Sequence, residues 1–404
     1  MFDTNLNNIP QGFKSYVKSI IFGDPLDPKK CEPKTILPNQ GDRYRFSHVG
    51  AFTPKGGNAG DILLPVVLRD LFVHGGGGIK WSSINVRKTV NQQTIDTIND
   101  SQGLIIGGGG LFLRDTNENN ISGWQWACSS EQLKLIKVPI CVFAVGYNRF
   151  RGQKEFDTFF RENLQLLTEK SVYLGLRNHG SIKAICEYLP EELHHKVIFQ
   201  PCMTTLISEL YPDLFIDKDN SSSNFIALNC AFDRSELRFG DKKDKLLNDI
   251  AAGIVELTKS TGLSIKYYAH YRKDLEMVDV LARNNVRFEV CDLSKLSPKE
   301  IILAYQAPLL AMGMRGHAQM IPFGCQTPIL SLVSHNKLQW FLDDINQPHW
   351  SVDLREDNIP EKILAKSLEI LNSRSSVLQT IRDKQKQLWN ISSINIKRFL
   401  EVVD

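Results

Sequence analysis

The stretch that most constrains the fold is Pro308–Lys337, because two continuous apolar runs flank a short helical segment in it. The first run, Pro308–Met312, ends at Gly313, and the second, Pro328–Val333, follows a segment that closes at Gly324. Continuous apolar strands without polar alternation are typical of a parallel sheet that is covered on both faces. The stretch therefore predicts a strand–helix–strand unit whose two strands are parallel neighbours.

The same alternation of apolar strands and helices runs through most of the chain. The first half predicts strands at Phe46–Phe52, Ile79–Ile84, Gly103–Ile106, Pro139–Val145, Ser171–Leu176 and Val197–Phe199. The second half adds Phe225–Cys230, Ser264–Ala269 and Val286–Val290, and it ends in a helical stretch, Glu361–Phe399. Since such crossovers require parallel strands, the fold class is α/β with two mostly parallel sheets.

The clearest linker is Asp217–Asn224, in which serine, aspartate and asparagine dominate. We therefore expect a first domain at residues 1–216, a linker at 217–224 and a second domain at 225–404. Two such domains place the carboxyl ends of their strands around one cleft between them. We also expect the C-terminal helix to cross back over the first domain.

Composition excludes several classes of protein. The chain has 404 residues, 42% of them hydrophobic, and a net charge of +3 with acids and bases interspersed, which does not favour a nucleic-acid partner. No run approaches the roughly 18 apolar residues of a membrane-spanning helix, and we expect a cytoplasmic protein. For Phe13–Phe22, a packed helix is favoured over a peripheral amphipathic contact with the inner face of a membrane. Neither the eight cysteines nor the nine histidines show metal-site spacing, so we expect no metal and no cofactor.

Several cationic residues and a histidine directly follow predicted strands. Arg177 comes after Ser171–Leu176, Arg315 and His317 come after the first run of the opening stretch, and Lys337 comes after the second. Open α/β sheets bind ligands at the carboxyl ends of their strands, and cations there predict a phosphate or carboxylate ligand. From these residues alone, a surface position explains Arg177 equally well, and a structural role explains His317 better.

Further candidate substrate-binding residues share the same placement beside strand ends or in glycine-rich loops. The loop Thr53–Asp61 fits neither nucleotide fingerprint, and the four glycines that begin at Gly107 suggest a tight turn after a strand. A predicted helix at Ser122–Ile136 turns one of its two indoles toward the cleft, where it would stack on a sugar. The candidates are Asn58, Asp61, Gly108, Gly109, Gly110, Trp124, Asn229 and His270.

Four motifs, in this order, resemble the polysaccharide pyruvyl transferase family. They are GGNAGD (Gly56–Asp61), LIIGGGGLF (Leu104–Phe112), LGLRNHGS (Leu174–Ser181) and MGMRGHAQMIPFGCQTPILSLVSHNK (Met312–Lys337). Asn178 stands where the family usually has aspartate, and Gly316 where it usually has an apolar residue. The resemblance implies a fold like that of GT-B glycosyltransferases, two Rossmann-like domains facing across a cleft. It also implies transfer of pyruvate from phosphoenolpyruvate to a sugar in a polysaccharide or glycan precursor to form a pyruvate ketal, and we expect the first domain on the acceptor side and the second on the donor side. Whether the acceptor is lipid-linked, nucleotide-linked or free stays open.

The residue types fit this chemistry. Phosphoenolpyruvate carries a carboxylate and a phosphate, which Arg177, Arg315 and Lys337 would bind, and His317 would act as general acid and base. One alternative is a nucleotide-sugar glycosyltransferase, which the lack of a glutamate motif after the His317 helix disfavours. The other is a non-catalytic glycan-binding protein, which the joint presence of these four residues disfavours. The acceptor sugar and the oligomeric state stay open.

Overall fold

The computed structural model describes residues 32–53, 57–150, 152–216 and 224–404. The segment Phe13–Phe22 and nearly all of the predicted linker lie outside the described residues.

The first domain is a six-stranded sheet with helices on both faces. All neighbouring strands are parallel, in the order β2-β1-β3-β4-β5-β6. Its elements are β1 (Tyr44–Gly50), α1 (Ala59–Gly76), β2 (Ile79–Asn85), α2 (Gln92–Asn99), β3 (Gly103–Phe112), α3 (Ser130–Leu135), β4 (Ile140–Tyr147), α4 (Thr158–Lys170), β5 (Ser171–Leu176), α5 (His179–Cys186), β6 (Val197–Phe199) and α6 (Ile207–Leu210).

The second domain repeats this plan with the strand order β12-β11-β10-β7-β8-β9, again all parallel. Its elements are β7 (Phe225–Asn229), α7 (Ser235–Phe239), α8 (Lys243–Thr261), β8 (Ser264–Ala269), α9 (Glu276–Arg283), β9 (Phe288–Asp292), α10 (Pro298–Gln306), β10 (Leu310–Gly313), α11 (His317–Gly324), β11 (Ile329–Val333), α12 (Asn336–Asp344), β12 (Ser351–Asp353), α13 (Ile359–Asn372) and α14 (Arg374–Val403). The two strands of the opening stretch, β10 and β11, are parallel neighbours as predicted. The strand predicted at Val286–Val290 lies two residues later, and β12 was not predicted.

The C-terminal helical stretch is two helices and not one. The α13 helix ends where the Ser373 hydroxyl donates to the carbonyl of Glu369 at 2.6 Å. Such a side-chain bond competes with the backbone hydrogen bonds that would continue the helix. The helical spacing of apolar residues continues across this break, so the sequence pattern does not show it. The α14 helix then packs on the first domain, where the Phe399 ring lies 5.7 Å from that of Phe46 and the Tyr173 hydroxyl donates to the carbonyl of Asn395 at 3.0 Å.

The helix predicted at Ser122–Ile136 is wrong for its first half, since only Ser130–Leu135 is helical. The cause is Asn119, which offers the backbone a competing set of bonds. Its side-chain oxygen accepts the N–H of Ser122 at 2.8 Å, and its amide donates to the carbonyl of Trp124 at 2.7 Å. The segment is therefore an ordered loop up to the cap of α3.

The expectation that Trp124 faces the cleft is also wrong. Its indole is 1% exposed, and its ring lies 5.1 Å from that of Phe112 and 6.1 Å from that of Trp126. The indole N–H donates to the side-chain oxygen of Asn163 at 2.8 Å, which satisfies its one polar group. Both tryptophans thus belong to the core of the first domain, and neither lines the cleft.

Candidate active site

A cleft of about 620 Å³ lies between the carboxyl ends of the two sheets. Residues that follow five strands of the first domain and four of the second line it, which is the ligand-binding edge of such sheets. The lining residues are Ala51, Thr53, Gly57, Asn58, Asp61, Arg87, Gly109, Gly110, Leu111, Leu113, Thr116, Gln125, Asn148, Arg177, Asp233, Arg234, Arg238, Tyr271, Arg315, Gly316, His317 and Lys337.

Arg177 is a buried cation without a carboxylate partner among the described residues. It follows β5, its side chain is flattened against Gly146, and only 5% of it is exposed. Its Nε is buried and makes no hydrogen bond. Burial lowers the pKa of Arg177, with Cys202 and Asp61 acting in the opposite direction. An arginine stays charged in proteins, so this residue leaves an unbalanced positive charge at the floor of the cleft.

Lys337 reaches into the cleft from the start of α12. Its ammonium donates to the side-chain oxygen of Asn148 at 2.9 Å and lies 5.7 Å from the centre of the Phe150 ring. Both contacts come from the segment after β4 in the first domain. Burial, followed by the charges of Arg177 and Arg238, lowers the pKa of Lys337 well below its ordinary value. An anion that binds here would relieve that repulsion.

Arg315 lines the cleft, but most of its guanidinium is already engaged. Its Nε and one terminal nitrogen donate to the two carboxylate oxygens of Asp274 at 2.8 and 2.5 Å, and its other terminal nitrogen lies 2.7 Å from Asp233. The structure therefore shows no free bidentate fork on Arg315. Its side chain has five N–H donors, so two remain for a ligand.

His317 begins α11 and rests on the first turn of α1. A Cβ added to Gly60 would lie 2.1 Å from the imidazole Nδ1, so only glycine leaves room for the ring. The Sγ of Cys202 lies 4.0 Å from Nε2. Burial, and after it the charges of Arg177, Lys337 and Arg315, lower the pKa of His317 to about 3. The imidazole is therefore neutral in the free protein at physiological pH.

Two more predicted residues, Asn58 and Asp61, line the cleft at the start of α1. Asn58 caps the helix, since its side-chain oxygen accepts the N–H of Gly60 at 2.8 Å, and this leaves its amide N–H groups for a ligand. Burial raises the pKa of Asp61 above its ordinary value, although Arg87 and three further cations act against the shift.

The glycine run does not form the expected turn, because Gly107–Gly110 continue strand β3. A Cβ on Gly107 would lie 2.1 Å from the carbonyl oxygen of Phe143, and Gly109 has a φ of +96°, so close approach and a left-handed backbone require glycine. Gly109 and Gly110 line the cleft, whereas Gly108 is buried against Met203.

Asn229 and His270 do not reach the cleft and support it from behind. The Asn229 amide donates to the carbonyl of Tyr268 at 2.8 Å and to the Asp274 carboxylate at 3.2 Å. His270 is fully buried, and its Nε2 lies 2.5 Å from the hydroxyl of Tyr305. The expectation that these two residues face a ligand is wrong, because both side chains turn into the second domain.

The sequence arguments missed Arg87, Asn148, Asp233 and Arg238. Arg87 follows β2 by two residues, so the rule that selected Arg177 applied to it as well. Asp233 and Arg238 come from the loop and the helix after β7, and the Asp233 carboxylate lies 3.1 Å from the Arg238 guanidinium. The sequence gives no sign of this ion pair, which holds both side chains at the cleft. Although burial opposes it, Arg315 and Arg238 hold the pKa of Asp233 below its usual range.

We expect Gly60→Ala to displace the imidazole of His317, because the new methyl group would overlap it. A misplacement of about 1 Å at a reacting group can cost roughly 100-fold in rate, so kcat should fall on that order while the donor affinity changes little. Steady-state kinetics and donor titration measure both. Gly316→Ala is the matched control, since an added Cβ there meets nothing within 4 Å. Wild-type kcat in Gly60→Ala would show that the ring position is not required.

Two features are absent from the described part of the chain. No group of three or more His, Cys, Asp or Glu side chains converges there in a way that would hold a metal ion. None of the helices in the same ranges is long and apolar enough to cross a membrane.

Comparison with solved structures identifies the fold. UDP-GlcNAc 2-epimerase from Neisseria meningitidis, solved with UDP-GlcNAc, is 13% identical, covers 88% of this chain and 100% of its own, and has a TM-score of 0.52. MnaA from S. aureus, solved with UDP, is 10% identical, covers 83% of this chain and 90% of its own, and has a TM-score of 0.51. At such identities the likeness concerns the fold alone, which is GT-B, as predicted.

Comparison at the level of sequence identifies the family. A search of curated proteins found no match. The family model for polysaccharide pyruvyl transferase matches residues 51–336, which include every cleft-lining candidate named above except Lys337, one residue beyond the match. This range covers well over half of the chain. The chain belongs to the polysaccharide pyruvyl transferase family.

Proposed function

We propose that this protein transfers pyruvate from phosphoenolpyruvate to a pair of hydroxyl groups on a sugar of a polysaccharide or glycan precursor, forming a pyruvate ketal. The observation that carries the proposal is Arg177, a buried and unpaired cation beside the neutral imidazole of His317 in the cleft between the domains. A buried charge without a partner is costly, and a bound anion would remove that cost.

The donor suits the charges around Arg177. Phosphoenolpyruvate has a carboxylate and a phosphate, and the cleft offers the whole guanidinium of Arg177, the ammonium of Lys337 and the two remaining N–H groups of Arg315. Arg177 can take one oxyanion in bidentate fashion, while Lys337 supplies a point charge. Asp274 and Asp233 then act on the donor indirectly, because they fix the orientation of Arg315.

The reaction needs one proton added and two removed. Protonation of the methylene carbon of phosphoenolpyruvate gives a methyl group and an oxocarbenium-like carbon, which one sugar hydroxyl attacks with loss of its proton. Phosphate then leaves with its oxygen, and the second hydroxyl attacks the same carbon and loses its proton as the ring closes. Once protonated, His317 would give its proton to the carbon and then accept the proton of the first hydroxyl, as a general acid and base does, while the departing phosphate accepts the proton of the second.

The two alternative functions fare less well at this site. A nucleotide-sugar enzyme of this fold would need a free acid at the strand ends of the second domain for the ribose hydroxyls. Among the described acids of the second domain, Asp233 lines the cleft and Asp274 lies behind Arg315, and arginines already bind both. A glycan-binding protein without activity would have no use for a neutral histidine held on a glycine beside unpaired cations.

The test is direct. The purified protein is incubated with phosphoenolpyruvate and a panel of galactosides, glucosides and mannosides of both anomeric forms, and phosphate release and product mass are measured. We expect stoichiometric phosphate and a product with the mass of a pyruvate ketal. Because a ligand that binds the native state raises the melting temperature, phosphoenolpyruvate alone should stabilise the protein. Neither stabilisation nor phosphate release with any acceptor would contradict the proposal.

A further inference from the structure

A second unpaired cation, Arg87, lines the cleft away from the proposed donor site. It lies two residues beyond β2, and its backbone N–H donates to the side-chain oxygen of Asn85 at 3.1 Å, which fixes the start of the side chain. Its guanidinium borders the cleft, and its Nε is buried without a hydrogen-bond partner. Among the described residues no carboxylate lies within ion-pair distance of it.

The strand order separates Arg87 from the donor site. Arg87 follows β2, the edge strand, whereas Arg177 follows β5, four places along the same sheet. Neighbouring strands are about 4.8 Å apart, so the two strand ends are on the order of 19 Å apart. The ends of β1, β3 and β4 lie between them, and Asn58, Asp61, Gly109, Gly110 and Asn148 line the cleft from those ends. The two arginines therefore belong to different parts of the cleft.

The space between the two arginines suits a sugar. The backbone of Gly109 and Gly110 forms one wall without side chains, and Asp61, Asn58 and Gln125 provide polar groups around it. Such a surface lets a flat ring approach the backbone closely, while amide and carboxyl groups accept or donate to hydroxyls.

We propose that Arg87 binds an oxyanion carried by the sugar acceptor, a phosphate or a carboxylate, and thereby selects anionic over neutral acceptors. This inference rests on the proposed function, since it divides the cleft into a donor part and an acceptor part. A guanidinium presents a planar pair of donors that matches either oxyanion. Asp61 also lines the cleft, and Arg87 is the foremost of the cations that act on its carboxyl, yet no ion pair joins the two and burial raises the pKa of Asp61. The charge of Arg87 thus remains available to a ligand.

The kinetic test compares neutral and anionic forms of the same sugars. With saturating phosphoenolpyruvate, galactose, glucose and mannose are each supplied as the p-nitrophenyl glycoside, the 1-phosphate and, for galactose and glucose, the uronic acid. We expect an anionic form to be the better substrate, and Arg87→Gln to lower its kcat/KM about 10- to 100-fold, the usual effect of losing hydrogen bonds to a charged group. Preference for the 1-phosphate identifies a phosphate site, and preference for the uronate a carboxylate site. The neutral glycosides and the KM for phosphoenolpyruvate should not change.

The binding of anionic sugars to the protein can be measured even where no acceptor is turned over. Titration calorimetry of the same sugar 1-phosphates and uronates should show weaker binding to Arg87→Gln than to wild type, with Arg87→Lys between them. Lys80→Gln, which removes an exposed cation from strand β2, is the control and should bind like wild type. Equal binding of every anionic sugar to wild type and Arg87→Gln would overturn the inference. If phosphoenolpyruvate is neither bound nor consumed, the proposed function fails, while weaker binding of anionic sugars to Arg87→Gln would still support the anion site.

Discussion

Arg177→Gln is expected to weaken phosphoenolpyruvate binding strongly and to leave the protein at least as stable as wild type. Two hydrogen bonds to charged groups contribute about 1.5–3 kcal/mol each, so the Kd should rise by roughly 10²- to 10⁴-fold. The stability change should have the opposite sign to that of most buried substitutions. Arg177 is 5% exposed, its buried Nε makes no hydrogen bond, and it has no carboxylate partner among the described residues, so its removal relieves an uncompensated charge.

Titration calorimetry and thermal unfolding in the absence of ligand measure the two effects together. Arg177→Lys keeps the charge but loses the planar fork, and it should recover only part of the affinity. Arg287→Gln removes an exposed arginine and serves as the control for both measurements. A variant that melts well below wild type and still binds phosphoenolpyruvate would show that Arg177 is structural and would contradict its assignment as a donor ligand.

The architecture could be predicted because buried parallel strands are mostly apolar and therefore easy to recognise in a sequence. Apolar or alternating runs predicted every strand except β12 (SVD), a three-residue edge strand with a single apolar residue. The rule that ligands meet strand carboxyl ends brought Arg177, Arg315, His317 and Lys337 to one cleft, where the structure places all four. This rule needs only the strand direction, which follows from the alternation of strands and helices.

The predictions failed where the orientation of a side chain depends on a contact with a residue far away in the chain. Nothing near Trp124 in the sequence shows that its indole meets Asn163 on α4, or that Asn119 holds the loop before it. The engagement of Arg315 likewise depends on Asp274, which lies 41 residues earlier in the chain. Such pairs come together only when the sheet and its helices are assembled, so local propensity and spacing carry no signal for them.

His317→Ala is expected to lower kcat by about 10²- to 10⁴-fold, the usual contribution of a general acid–base group, while phosphoenolpyruvate still binds. The affinity for phosphoenolpyruvate should persist because Arg177 and Lys337 remain and keep all of their N–H donors. Steady-state kinetics and calorimetry separate these effects. His195→Ala, which removes an exposed histidine from the short 3-10 helix Glu191–Lys196, is the control. Unchanged turnover in His317→Ala would remove this residue from the chemistry.

The protonation of His317 provides a second and sharper readout. In the free protein, burial and after it the charges of Arg177, Lys337 and Arg315 lower the pKa of His317 to about 3. The ring should therefore stay neutral throughout the range from pH 5 to 8. A bound carboxylate and phosphate would neutralise those cations, and opposite charges favour the protonated form, so the pKa should rise on binding. Binding of phosphoenolpyruvate would thus allow the imidazole to hold the proton that it later gives to the methylene carbon.

Nitrogen-15 spectra of the histidine rings, with His317→Ala for assignment, should show a neutral ring in the free protein and one that titrates near neutral pH with phosphoenolpyruvate. A ring that titrates near its ordinary pKa of about 6.5 in the free protein, unaffected by phosphoenolpyruvate, would refute this coupling.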